Sequence, residues 1–202
     1  MYFQLSQFLT KQKRAPQVHP EAPENLTRAA VLALLIRDGG EDHLLFTKRS
    51  QTVLHHKGQI CFPGGACDAG DKDLWGTALR ETREEIGLDP QAVSFVGELG
   101  QIVTPSGYKV TPFVGSLAGL AVWRPNPHEI EEVFMAPVRH FLHPENFRMV
   151  KKSCRGFEYE DPLFLYQHYE VWGATGRILV ELMEAWRGVR QDCIQPPICQ
   201  KG

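Results

Sequence analysis

Between Gly64 and Leu88 the chain reads GGACDAGDKDLWGTALRETREEIGL, and no other stretch restricts the fold as tightly. Asp71 or Asp73 can cap a helix start, Gly87 is placed as its left-handed stop, and Asp89-Pro90 prevents continuation. Gly76 weakens that helix only slightly. On a helical wheel with Glu81 at zero, Glu84 falls near ~300° and Glu85 near ~40°, so three carboxylates share an arc of about 100°. Trp75, Ala78, Leu79, Thr82 and Ile86 fill the adjoining arc, which puts the acidic face at the border of a buried stripe, where a cleft would lie. Like charges at this spacing destabilise an isolated helix by about 0.2–0.5 kcal/mol per pair, and more when partly desolvated. A hard divalent cation taking oxygen ligands would offset that repulsion. A solvated charged face is the alternative for the helix alone. Gly64 and Gly65 favour the cation, because residues without Cβ let the backbone turn tightly and approach a metal and phosphates.

The segment resembles the Nudix box, G-x5-E-x7-R-E-U-x-E-E-x-G-U with U aliphatic. Arg80 to Leu88 satisfies its second half, with Thr82 in place of the usual aliphatic residue. The first half departs: after five intervening residues Gly65 is followed by Asp71 rather than Glu, and eight residues rather than seven then precede Arg80. This departure is similar to the Nudix subfamily that hydrolyses coenzyme A, whose box carries an Asp-x-x-Asp loop, here Asp68 and Asp71. Upstream, LLFTKRSQTVLHHKGQICFPGG from Leu44 to Gly65 resembles the extension that subfamily carries before its box. KVTPFVG (Lys109 to Gly115) and VWGATGRIL (Val171 to Leu179) are similar to it as well. Leu54 departs, standing where many relatives would have a basic residue.

The resemblance implies an α/β Nudix fold, a mixed β-sheet sandwiched between α-helices. It implies that Glu81 and Glu85 ligate Mg²⁺ or Mn²⁺ directly, with Glu84 a third or water-mediated ligand and a backbone carbonyl near Gly65 completing the shell. Arg80 would orient a carboxylate. Glu84 is the first candidate for the general base; Glu98, Glu129, Glu131 and Glu132 are alternatives that read more simply as solvated acids. Arg49, His56 and Lys57 would neutralise the 3′-phosphate and diphosphate of coenzyme A, with Gly64 and Gly65 letting the backbone approach the phosphates. The implied reaction is hydrolysis of coenzyme A or acyl-CoA to adenosine 3′,5′-bisphosphate and 4′-phosphopantetheine or its acyl form. Two alternatives stay open: another nucleoside diphosphate derivative such as ADP-ribose or an oxidised nucleotide, and a Nudix-derived module that binds nucleotide without cleaving it. The retention of Glu81, Glu84 and Glu85 weighs against the second.

The rest of the chain suits one catalytic domain over residues 26–190, with a peripheral segment at 1–25 and a tail at 191–202. A formal charge of −2 gives no reason to expect nucleic acid or an anionic membrane as partner. The longest apolar run, Ala29 to Ile36, is far shorter than the roughly 20 residues of a membrane span. Five cysteines without regular spacing read as reduced thiols, and with no secretory pattern at the N-terminus a cytoplasmic location is expected. The sequence leaves homodimerisation open. Strands are expected at Arg28–Arg37, Leu44–Lys48, Gln59–Phe62, Ser94–Thr104, Tyr108–Leu117, Glu129–Met135, Phe147–Lys152 and Phe157–Tyr169, with a late helix from Thr175 to Trp186.

Overall fold

The computed structural model describes residues 1–11, 14–53, 56–119, 122–154 and 157–194. Helix α1 (Tyr2–Lys11) and the short β1 (Gln17–Val18) lead into β2 (Thr27–Asp38) and β3 (Glu41–Arg49), which turn on Gly39 and Gly40, both at positive φ. Ala30, Leu32, Leu34 and Ile36 of β2 fall in one apolar cluster, and Ala33 and Leu35 in another. The strand is therefore buried on both faces, as its unbroken apolar run requires.

What opens the site is a split between these two strands. They pair from Leu35 with Leu44 to Asp38 with Glu41, then separate. The next segment fills the opening: β4 (Ile60–Cys61) pairs with β3, and β5 (Gly64–Ala66) crosses to pair with β2. Helix α2 (Leu74–Ile86) follows and lies over the same opening, packing on β2 through Ala78 and Ile86.

The sheet continues through β6 (Val93–Glu98), β7 (Ile102–Val103) and β8 (Tyr108–Leu117), which runs parallel to β2. The single strand expected over Ser94–Thr104 is broken here, because at Gly100 the backbone N–H leaves the ladder and donates to the buried Glu181 carboxylate at 2.7 Å. Strand β9 (Ile130–Pro137) takes the other edge of β3, and α3 (Val138–Leu142) leads to a separate sheet of β10 (Phe147–Cys154), β11 (Phe157–Tyr166) and β12 (Tyr169–Val171). The strand expected over Phe157–Tyr169 divides at Gln167, whose φ of 53° turns the chain. The turn residues Arg155 and Gly156 lie outside the described residues, as does Leu54.

Helix α4 (Gly173–Ile194) covers the face opposite α2 with Ile178, Leu179, Leu182, Met183 and Trp186, so helices flank the sheet on both sides. The expectation that residues 1–25 are peripheral fails for α1. Leu5 and Leu9 are buried in the same cluster as α4, and a Cβ on Gly97 would meet Leu9 side-chain carbons at 2.6 Å. Average composition hid this, since Tyr2, Leu5, Phe8 and Leu9 are apolar at helical spacing within a segment rich in Gln and Lys. At the other end, the α4 backbone runs to Ile194, into the region expected as a tail; residues 195–202 lie outside the described residues. Among the described residues no helix is long and apolar enough to cross a membrane.

Candidate active site

Helix α2 begins where Asp73 accepts from the Gly76 N–H at 2.7 Å and ends at Gly87, φ 72°, whose N–H reaches the Arg83 carbonyl. These caps fix which face its acids present. With Ala78, Thr82 and Ile86 buried, the three carboxylates grade from core to solvent: the side chains of Glu85, Glu81 and Glu84 are 1%, 17% and 55% exposed.

Glu85 sits in the split of the sheet. One oxygen accepts from the Gly64 N–H at 3.2 Å, and the other from Arg49 Nη1 at 3.3 Å. Burial outweighs both contacts and pushes its pKa up to about 8. Burial raises Glu81 as well, against the lowering effect of Arg80. Backbone contact requires glycine at 64, and a side chain at 65 would push Glu81 aside. A Cβ on Gly65 would meet the Glu81 carboxyl group at 2.5 to 2.8 Å, and one on Gly64, at φ 148°, would strike the Val31 Cα at 2.6 Å.

Arg80 organises the other end. Its Nε and Nη2 bind both oxygens of Asp71 at 2.8 and 3.0 Å, Nη2 also donates to the Ala66 carbonyl, and Nη1 is shared between Glu81 at 2.9 Å and Glu84 at 3.1 Å. Asp71 accepts in addition from the Asp68 N–H and the Thr77 hydroxyl. Its hydrogen bonds to Arg80, foremost, hold its carboxyl well below the usual range. The extra loop residue thus leaves Asp71 able to make a two-pronged pair with Arg80.

Strand β3 ends at Arg49, and the following loop closes back on it: Gly58 N–H donates to the Arg49 carbonyl, and Arg49 N–H to the Gln59 carbonyl, each at 3.0 Å. Arg49 Nε is buried without a partner among the described residues. His56, at φ 58°, is exposed and donates from Nδ1 to Gln59 Oε1 at 2.8 Å; Lys57 beside it is exposed too. The fold therefore gathers Arg49, Gly64, Gly65, Arg80, Glu81, Glu84 and Glu85 around the split, while His56 and Lys57 stand on its closing loop. Of the alternative bases, Glu131 pairs with Lys48, Glu132 accepts from the Tyr169 hydroxyl, and Glu98 lies on β6 beside α1. Glu129 differs, since its charge raises both Glu81 and Glu85. No sequence signal marks Cys61, a half-buried residue whose thiol is pushed up to about 11, by desolvation first and then by the nearby Glu85 charge. Nor does any periodicity mark Asn126.

These donors fit a hard divalent cation in chemistry: all are carboxylate oxygens, Glu85 is a buried acid with little compensation, and Gly65 leaves the space that a Cβ would fill beside Glu81. Among the described residues no three Asp, Glu, His or Cys side chains already converge at ligating distance. Glu81 and Glu84 bind Arg80 instead, so a cation would compete with that guanidinium. A cleft of about 610 Å³ lined by Gly76, Leu79, Arg80, Arg83, Glu84 and Pro90 lies along the outer face of α2 and meets this set at Arg80 and Glu84, not at Glu81 or Glu85.

The Nudix domain model matches residues 26–162, well over half of the chain. The chain belongs to the Nudix family. It is 37% identical over 179 residues to NudL, an uncharacterised Nudix hydrolase of Salmonella heidelberg (strain SL476), a match covering 88% of this chain and 92% of that protein. NudL of Salmonella newport (strain SL254) matches to the same extent. A MutT/nudix family protein from Enterococcus faecalis, 17% identical, superposes with a TM-score of 0.51 over 93% of this chain and 70% of that one, a likeness of fold alone. The mixed sheet flanked by helices is the Nudix architecture that the box implies, and Nudix hydrolases generally use divalent metals such as Mg²⁺ or Mn²⁺.

Proposed function

We propose that this Nudix hydrolase cleaves the diphosphate bond of coenzyme A or acyl-CoA, releasing adenosine 3′,5′-bisphosphate and 4′-phosphopantetheine or its acyl form. The observation that carries this reading is the closure of the Leu44–Gly65 segment onto the carboxylates: Arg49 contacts Glu85, and the loop bearing His56 and Lys57 returns to the Arg49 backbone. That segment and the Asp68–Asp71 loop are where the chain resembles the coenzyme A group rather than Nudix enzymes at large.

Glu81 and Glu85, with Glu84, would hold the cation, which supplies charge neutralisation at the diphosphate and a more acidic bound water. Arg80 steers Glu81 and Glu84 while its other edge is locked by Asp71. Arg49, His56 and Lys57 meet the phosphates with cationic donors, and Gly64 and Gly65 keep side chains out of their way. Glu84, the most exposed of the three acids, would be the general base that accepts a proton from water. The water oxygen joins the attacked phosphorus, one P–O bond of the bridge breaks, and the bridging oxygen leaves with the other phosphate.

The test is incubation with coenzyme A, ADP-ribose and nucleoside triphosphates, with Mg²⁺, Mn²⁺ or chelator, and products resolved by mass. Metal-dependent adenosine 3′,5′-bisphosphate and phosphopantetheine, formed faster than any other product, is the expected result. Cleavage confined to the other nucleotides would reject the substrate and keep the chemistry.

A further inference from the structure

The loop between β8 and β9 contains Arg124-Pro125-Asn126-Pro127-His128-Glu129, which the box does not include. Its two prolines lack N–H groups and restrict the residues before them, so few donors remain and those are committed. Arg124 N–H donates to the Ile86 carbonyl and Asn126 N–H to the Glu85 carbonyl, both at 2.8 Å. These are carbonyls of the last turn of α2, which the helix itself cannot satisfy. Asn126 then folds the loop around its own side chain. Its Oδ1 accepts from the His128 N–H at 3.2 Å, its carbonyl from Glu129 and Ile130, and its Nδ2 donates to Glu129 Oε1 at 3.2 Å.

The same turn anchors the loop that carries His56 and Lys57. Ser50 N–H donates to the Glu129 carbonyl at 2.8 Å, the Thr52 hydroxyl donates to the His128 carbonyl at 3.2 Å, and Arg49 pairs in register with Ile130. One asparagine thus stands between the end of the carboxylate helix, the start of the phosphate-side loop and a further acid. That acid lies beside the site: its carbonyl holds Ser50, the neighbour of the Arg49 that contacts Glu85, and the asparagine that binds its side chain is itself bonded to the Glu85 carbonyl.

We propose that Asn126 is a positioning residue of the active site: its side-chain amide holds the Glu129 carboxylate on the Glu85 side of the site, making Glu129 a fourth carboxyl group of the cation-binding region. The proposal rests on the metal-dependent Nudix chemistry above but not on coenzyme A as substrate. Replacing the side chain leaves the Asn126 backbone N–H on Glu85 in place, so Asn126→Ala removes the amide without uncapping the helix.

The test is Mn²⁺ binding, read by electron paramagnetic resonance on the full chain, in wild type, N126A, E129Q and the double variant, with urea midpoints to confirm folding. Loss of a group that orients the ligand region is expected to weaken Mn²⁺ binding about 10-fold in N126A. In the E129Q background the same change should be within about 2-fold, because its route is gone. An equal loss in both backgrounds, or no loss in either, would overturn the proposal. If N126A does not fold, N126D carries the same comparison: it keeps the acceptor for His128 and replaces the donor to Glu129 by a like charge. Because the readout is the metal alone, a failure to cleave coenzyme A leaves this result intact and separately overturns the substrate assignment.

Discussion

Two arginines serve the carboxylates of α2, and they do so unequally. At the Asp71 end, Arg80 makes five hydrogen bonds to Asp71, Ala66, Glu81 and Glu84, and Asp71 is held firmly ionised. At the Gly64 end, Arg49 offers Glu85 a single contact of 3.3 Å, keeps a buried Nε without a partner among the described residues, and leaves the acid with a pKa near 8. A guanidinium saturated with acceptors is scaffolding. A buried carboxylate left short of positive charge is where the protein gains most from binding a cation, and such an acid beside two further carboxylates points to chemistry.

The comparison can be broken most directly at Glu85. Glu85→Gln should lower turnover by at least about 10²-fold if the acid positions the metal, measured as kcat with saturating Mn²⁺. Near-normal turnover would assign the cation elsewhere. Gly65→Ala should follow, with a loss of roughly 10–100-fold in activity, because the new methyl displaces the Glu81 carboxyl group. Arg80→Lys should reduce activity about 10-fold while metal still binds, since lysine cannot span Asp71 and the two glutamates with a rigid fork. A larger effect on Mn²⁺ affinity than on kcat would mean that Arg80 shapes the ligand set rather than the reacting geometry.

The smallest effect concerns pH. The folded protein binds the Glu85 proton more tightly than the unfolded chain does, so that contribution to stability is full below the ordinary value of 4.5 and is lost as pH rises toward about 8. Urea midpoints in chelator should fall over that window, and the fall should shrink in E85Q.

Much of this was legible in the chain. Asp73, Gly87 and the spacing of Glu81, Glu84 and Glu85 are local signals, and α2 follows them residue for residue. The apolar run into Gly39-Gly40 likewise gives β2 and β3. What was not legible depends on partners distant in sequence. Gly100 breaks a strand for the sake of Glu181, α1 is drawn into the core by packing on α4, and Asn126 is placed by carbonyls at the end of α2. Asp71 lies between the two cases: its position in the box was readable, but its two-pronged grip on Arg80 needed the folded loop.

On the reading proposed above, Glu85 is the under-compensated acid that a divalent cation completes. Calorimetric titration with Mn²⁺ at pH 7, repeated in buffers of different ionisation enthalpy, reads the protons released on binding. Release approaching one proton per ion is expected in the wild type and almost none in E85Q. Equal release from both, or none from the wild type, would contradict it.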